Sequence, residues 1–256
     1  MALITRWIEV TRPAAVVVDV SVEVALFVRL LGVPVIVMAM PGERTDGPHA
    51  LVHQIADHIV AAWPQELYEP EWLRAYAAKT SYVGGISRFG DRDGLQPTED
   101  RPTVLVLSGT GGVDFDQTTV DATAASIPEI TWTTLGLRGG PRTSDPRPDI
   151  CAADVVITHA GQSCVADVAA ARRPAIVLPQ PRPFDEQHAT AETLRRDRLA
   201  VATRGWPDAR AWRCFIGQAR ASDPSRWEHW QTTGAAARAA GAIETTVRQY
   251  ATPGMP

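Results

Sequence analysis

The stretch from Asp154 to Leu194, DVVITHAGQSCVADVAAARRPAIVLPQPRPFDEQHATAETL, constrains the chain more than any other. Residues 155–158 form a short apolar, β-branched run that reads as a buried strand, and His159-Ala160-Gly161 makes the turn after it. Residues 162–172 carry helical spacing with alanines along one side, and Pro174 stops that helix. Residues 175–178 read as a second buried strand. A loop stiffened by Pro179, Pro181 and Pro183 follows, and Asp185 opens another helix. Two parallel strands joined by a helix are right-handed, and the loops at their carboxyl ends gather at one edge of the sheet, where open α/β folds bind ligands. The expected fold class is therefore α/β.

The polar residues of this stretch fall in those loops. Gln162, Ser163 and Cys164 stand at the amino end of a helix, where free N–H groups and the positive end of the dipole favour an anion such as phosphate. Asp167 lies one turn further, where a carboxylate can accept hydrogen bonds from ribose hydroxyls. The pattern points to a nucleotide diphosphate. A lone His after a strand is often only a turn residue bonded to backbone; the joint spacing of His, Gly, acid and a later Asp-Glu-Gln carries the functional reading.

The runs HAGQSCVAD and PQPRPFDEQ resemble the donor-site signature of GT-B glycosyltransferases, most of all the carboxyl-terminal domain of the MurG-type, family 28 transferases. The resemblance implies that His159 and the helix-start residues Gly161, Gln162 and Ser163 hold the diphosphate. It also implies that Asp167 holds the ribose and that Asp185, Glu186 and Gln187 hold the sugar. Asp167 stands where that family usually has Glu, which shortens the reach by a methylene.

Upstream, residues 103–107 predict a strand and Ser108-Gly109-Thr110-Gly111-Gly112 a glycine-rich turn before a helix over 115–126. Such a turn lets backbone approach a phosphate, or is simply tight; it lacks the Lys of a P-loop. In the resembled family a similar turn borders the donor diphosphate. A strand over 129–134, a Gly-, Pro- and Arg-rich loop over 136–149, a strand over 199–202 and helices over 206–219 and 225–250 complete this part. Arg138 and Arg142 in that loop are within the class of residue that contacts a base.

The first part reads as strand 15–20, helix 22–31, strand 33–40, helix 48–58, short strand 59–63 and helix 71–79. The expected organisation is thus a partial amino-terminal Rossmann-like domain over 1–80 and a linker over 81–102. A complete Rossmann-like nucleotide-sugar domain over 103–240 and a carboxyl-terminal helix and tail over 241–256 follow. A full first domain of the resembled type would need about 100 further residues ahead of Met1. A partner chain or homo-oligomer completing its sheet is the corresponding expectation, because unpaired strand edges seek partners. Asp19, at the end of its strand, is the one weak candidate for a catalytic base; the catalytic residue is otherwise unknown at this level. His49, His53, His58 and Asp57 invite a metal reading, but a solvated helix face explains them better.

A formal net charge of −4 gives no basic footprint for nucleic acid. Three cysteines, Cys151, Cys164 and Cys214, lack paired or metal-type spacing and suit a reducing compartment. The Val- and Leu-rich 14–40 region contains Asp19, Glu23, Arg29 and Pro34, against a membrane span, and residues 1–14 are amphipathic and unlike a signal peptide. A cytoplasmic location is expected. The implied activity is inverting transfer of a sugar from a nucleotide-diphosphate donor, UDP-type above all, to an acceptor hydroxyl of unknown identity, with no cofactor and no metal. A non-catalytic nucleotide-sugar-binding subunit and a nucleotide-sugar 2-epimerase are the alternatives.

Overall fold

The computed structural model describes residues 1–89, 101–109 and 112–250. Thr110 and Gly111 of the expected glycine-rich turn, and positions 90–100 of the expected linker, lie outside the described residues. The chain divides into two compact units, Met1–Gly84 with Gly234–Pro256, and Gly85–Thr233.

Unit 1 runs α1 (Ala2–Thr11), β1 (Val16–Asp19), α2 (Val22–Leu30), β2 (Val35–Ala39), α3 (Gly47–Ile55), β3 (His58–Ala61), α4 (Glu71–Arg74) and β4 (Thr80–Tyr82). The four strands are parallel in the order β1-β2-β3-β4, with Val16 opposite Val35, Ile36 opposite His58 and Ile59 opposite Thr80. The apolar run Val35–Ala39 lies in the middle of this sheet, as expected of a parallel strand covered on both faces. Three expectations need correction here. His58 opens β3 rather than ending a helix, because Asp57 turns its carboxylate to the Val35 N–H (2.7 Å) and breaks the helix beforehand. The helix expected over 71–79 splits into α4 and a 3-10 turn at Ala77–Lys79, whose Lys79 ammonium donates to the carbonyls of Gln54 and Ala56 at the end of α3. And Ser81 and Tyr82, assigned to the linker, form the fourth strand.

Unit 2 runs β5 (Thr103–Leu107), α5 (Gln117–Ser126), β6 (Thr131–Leu135), α6 (Arg147–Ala152), β7 (Val155–Thr158), α7 (Gln162–Ala170), β8 (Ala175–Val177), α8 (Glu186–Arg196), β9 (Val201–Ala202) and α9 (Ala209–Arg220). Its strands are all parallel in the order β6-β5-β7-β8-β9. The chain leaves β5 toward β6 and returns to its other side as β7, so the order reverses between the carboxyl ends of β5 and β7. In doubly wound sheets the ligand crevice opens at that reversal. Val104, Val106, Ile157, Ile176 and Trp212 fill the core, and Trp206 meets Trp212 edge-on at 4.9 Å. Helix α6 interrupts the loop expected over 136–149. Cys151 on α6 and Cys164 on α7 are buried, whereas Cys214 on α9 is exposed.

The single helix expected over 225–250 is two elements. A 3-10 segment, Pro224–Trp230, ends at Gln231 with φ 54, Gly234 follows with φ 71, and α10 (Ala235–Tyr250) then belongs to unit 1. Two left-handed residues within four positions cannot continue a right-handed helix. Among the described residues no helix is long and apolar enough to cross a membrane.

Candidate functional site

The crevice of unit 2 is bridged by His159. Its ring is buried, with Nε2 3.1 Å from the Gly109 amide nitrogen at the end of β5 and Nδ1 3.0 Å from the Gly161 amide nitrogen. Gln187 Nε2 lies 3.5 Å from Nδ1, and Cys164 Sγ 3.7 Å from Nε2. Burial, with the Arg182 charge behind it, pushes His159 down to about 4, so the ring is neutral at physiological pH. A neutral imidazole has one acceptor nitrogen for these two backbone amides. The Gly161 N–H points at Nδ1 and the Gly109 N–H at Nε2, so the ring ties the start of α7 to the end of β5. Packing against this ring also explains the glycines: a Cβ on Gly161 would lie 2.4 Å from His159 Cε1, and one on Gly109 3.0 Å from Nε2.

Helix α7 starts without a side-chain cap, since its N-cap residue is Gly161. Ser163 is exposed at this end, and Gln162 Nε2 is buried without a hydrogen-bond partner among the described residues. Of the glycine-rich turn, Ser108 is buried and donates to the Gly109 carbonyl, while Gly112 (φ 71) offers its carbonyl to Arg182 Nη2 at 2.9 Å. Gln180 fastens the same loops, accepting from Asp114 N–H (2.7 Å) and donating to the Leu178 carbonyl (3.1 Å). Sequence reasoning missed both Gln180 and Arg182, although they lie inside the quoted motif.

The acidic and amide residues expected at the sugar and ribose sit in different surroundings. Gln187 is buried, and its Oε1 accepts the Gln180 N–H at 2.9 Å, so its amide organises the 179–182 loop from within. Asp185 is exposed 3.6 Å from His188, Glu186 is half-buried, and the strained pair Phe184 (φ 62) and Asp185 (φ 54) sets the entry to α8. Asp167 faces inward on α7 and is almost wholly buried. Ser87 Oγ donates to its Oδ1 at 2.8 Å, the Arg88 N–H reaches the same oxygen at 3.3 Å, and Arg88 Nε meets Oδ2 at 2.8 Å. Both oxygens accept bonds from the 85–89 segment. Arg138 and Arg142 are exposed.

In unit 1, Asp19 is exposed at the end of β1. The histidines are not a solvated face. His53 is buried and stacked on Trp72 at 4.6 Å, with Nδ1 lacking a hydrogen-bond partner among the described residues, and burial, aided by the His49 and Arg44 charges, pushes it down to about 4. His49 turns Nδ1 to Asp46 Oδ2 at 2.7 Å and Nε2 to Arg44 Nη1 at 3.4 Å. The Asp46 carboxylate and the Arg44 guanidinium fix the orientation of this ring from its two sides. These residues border a cavity of about 20 Å³ at the carboxyl ends of β1 and β2, room for a water molecule. Among the described residues no group of three or more His, Cys, Asp or Glu is placed to hold a metal.

Against known proteins, residues 143–204 match the glycosyltransferase family 28 C-terminal domain. Over 202 residues the chain is 28% identical to the UDP-N-acetylglucosamine–N-acetylmuramyl-(pentapeptide) pyrophosphoryl-undecaprenol N-acetylglucosamine transferase of Sorangium cellulosum (strain So ce56), covering 70% of this chain and 49% of that one. The chain thus spans about half the length of this curated relative. Among solved structures, MurG of Acinetobacter baumannii aligns with TM-score 0.62 and 19% identity, covering 94% of this chain and 76% of that one. UGT89C1 of Arabidopsis thaliana, complexed with UDP, aligns with TM-score 0.67 and 14% identity, covering 93% and 72%. The matched segment contains β7, α7, β8 and α8, the elements around His159. In this segment and in the architecture around it, the chain is similar to MurG-type proteins of the GT-B fold.

Proposed function

We propose that the chain is a glycosyltransferase that binds a nucleotide-diphosphate sugar in the β5–β7 crevice of unit 2 and transfers the sugar, with inversion, to an acceptor hydroxyl. The observation that carries this reading is the neutral, buried His159 beside an uncapped α7 start, with the Gly109 amide beside it. Oriented N–H groups and a helix dipole stabilise the negative charge that grows on a leaving diphosphate. Arg182, tied to Gly112, borders the same loops. The Sorangium relative is named for a UDP-sugar, and UGT89C1 is described with UDP, which supports a uridine donor.

Calorimetric titration with UDP tests the donor reading, and release of UDP from UDP-sugars in the presence of candidate acceptors tests turnover. Heat with UDP and no turnover would favour a binding subunit, and the appearance of an epimeric donor would favour the epimerase. No heat from folded protein would remove all three readings.

A further inference from the structure

Unit 1 carries a larger cavity at the amino ends of its strands, the opposite end of the sheet from the loops where open α/β folds bind their ligands. It has a volume of about 370 Å³ and opens between the starts of β3 and β4, the 3-10 turn at Ala77–Lys79 and one face of α10. Cavities of about 300–1,000 Å³ are of the size that holds small metabolites.

Two cations on its wall come from different elements. Lys79 donates to the carbonyls of Gln54 (2.7 Å) and Ala56 (2.6 Å), which uses two of the three N–H groups of an ammonium. Arg238 is fixed on α10 by its Nε, which donates to the Val83 carbonyl at 3.0 Å. Asp57, on the same wall, has its Oδ2 engaged by the Val35 N–H at 2.7 Å and lies 3.8 Å from Arg29 Nε. His58, held below its ordinary pKa by burial and by the Lys79 charge, is neutral at physiological pH. The wall is therefore cationic on balance.

Neutral hydrogen-bonding groups surround these charges. Thr245 and Thr246 donate their hydroxyl protons to the carbonyls of Gly241 (2.8 Å) and Ala242 (2.9 Å), so each oxygen faces the cavity as an acceptor. Ser81 Oγ lies 2.9 Å from His58 Nε2, and Gln249 adds an amide. Gly241 supplies space. It stands inside α10, where glycine weakens a helix, yet a Cβ added there would meet nothing within 4 Å, so packing does not require it. Its missing side chain keeps open the cavity that it lines. We propose that this cavity binds a small phosphorylated polyol, with the phosphate against Lys79 and Arg238 and the hydroxyls against Ser81, Thr245 and Gln249. The site is separate from the donor crevice and does not depend on the donor reading.

The test is calorimetric titration of the full chain with glucose 6-phosphate, glucose and inorganic phosphate, using the wild type, Gly241→Leu and Arg238→Gln, with thermal melts to confirm folding. Wild type should bind glucose 6-phosphate more weakly as salt rises, and glucose at least about tenfold more weakly than its phosphate. Gly241→Leu should melt no lower than wild type and should weaken glucose 6-phosphate by at least about tenfold; Arg238→Gln should weaken it by about tenfold. Folded wild type that gives no heat with glucose 6-phosphate overturns the proposal, as does glucose binding as tightly as its phosphate. Heat that is undiminished in the folded variants comes from another site and also overturns it, and its displacement by UDP would place that site in the donor crevice. Should one variant not fold, the other still decides.

Discussion

The two units use one device at the amino ends of their sheets and different ones at the carboxyl ends. Asp57, just before β3, takes the Val35 N–H at the start of β2 at 2.7 Å; Asp154, just before β7, takes the Thr103 N–H at the start of β5 at 2.8 Å. In each case the acid's own N–H returns a bond to the carbonyl of the same partner, at 2.8 Å and 2.9 Å. Each acid thus locks two adjacent parallel strands in register. At the other end, α2 is capped by Ser21, whose Oγ accepts the Val24 N–H, whereas α7 opens on Gly161 with no side-chain cap. The contrast separates what holds a Rossmann-like unit together from what is left uncapped in one of them.

The largest test of this contrast is acid. His53 in unit 1 and His159 in unit 2 are both held at about 4, against the 6.5 of an unfolded chain, by burial first. A pKa lowered in the folded state contributes stability that is complete above 6.5 and is lost as pH falls from 6.5 toward 4, about 3 kcal/mol for each ring. Urea unfolding at pH 7 and pH 4.5 should show this loss. His53→Phe, which removes an unpartnered Nδ1 and keeps the stack on Trp72, should reduce it without altering UDP affinity. Equal acid loss in that variant would break the assignment to unit 1.

Gly161→Ala comes next. The added methyl drives into His159, which should cost unit 2 about 2–3 kcal/mol and UDP affinity at least about tenfold, read by melts and calorimetry. Asp57→Ala and Asp154→Ala should each cost about 2 kcal/mol in chemical denaturation, because each leaves a strand N–H without its acceptor. Similar values would sharpen the parallel between the units. Smallest is Ser21→Ala, an ordinary cap loss of about 1 kcal/mol with UDP binding unchanged.

The sequence revealed the elements around the crevice because these are continuous apolar, β-branched runs closed by turns: the β5 and β7 boundaries match the reading from periodicity alone. It hid β4, whose Thr-Ser-Tyr is short and polar, and α6, whose Pro148 lies in a loop-like Pro- and Arg-rich context yet is tolerated in a first helical turn. It placed His159 beside a helix start but could not show which way the amides face. The partners of Asp167 lie 79 and 80 positions upstream, and nothing in local spacing encodes a contact of that range. Gln187 was legible as a polar residue of the motif, but its inward turn depends on the Gln180 backbone meeting it across the loop.

The distribution of thiols gives the experimenter one handle. With Cys151 and Cys164 enclosed on α6 and α7 and Cys214 accessible on α9, a maleimide fluorophore should attach to the native molecule at a single point. As denaturant rises, the second and third labels on the mass spectrum would time the opening of α6 and α7.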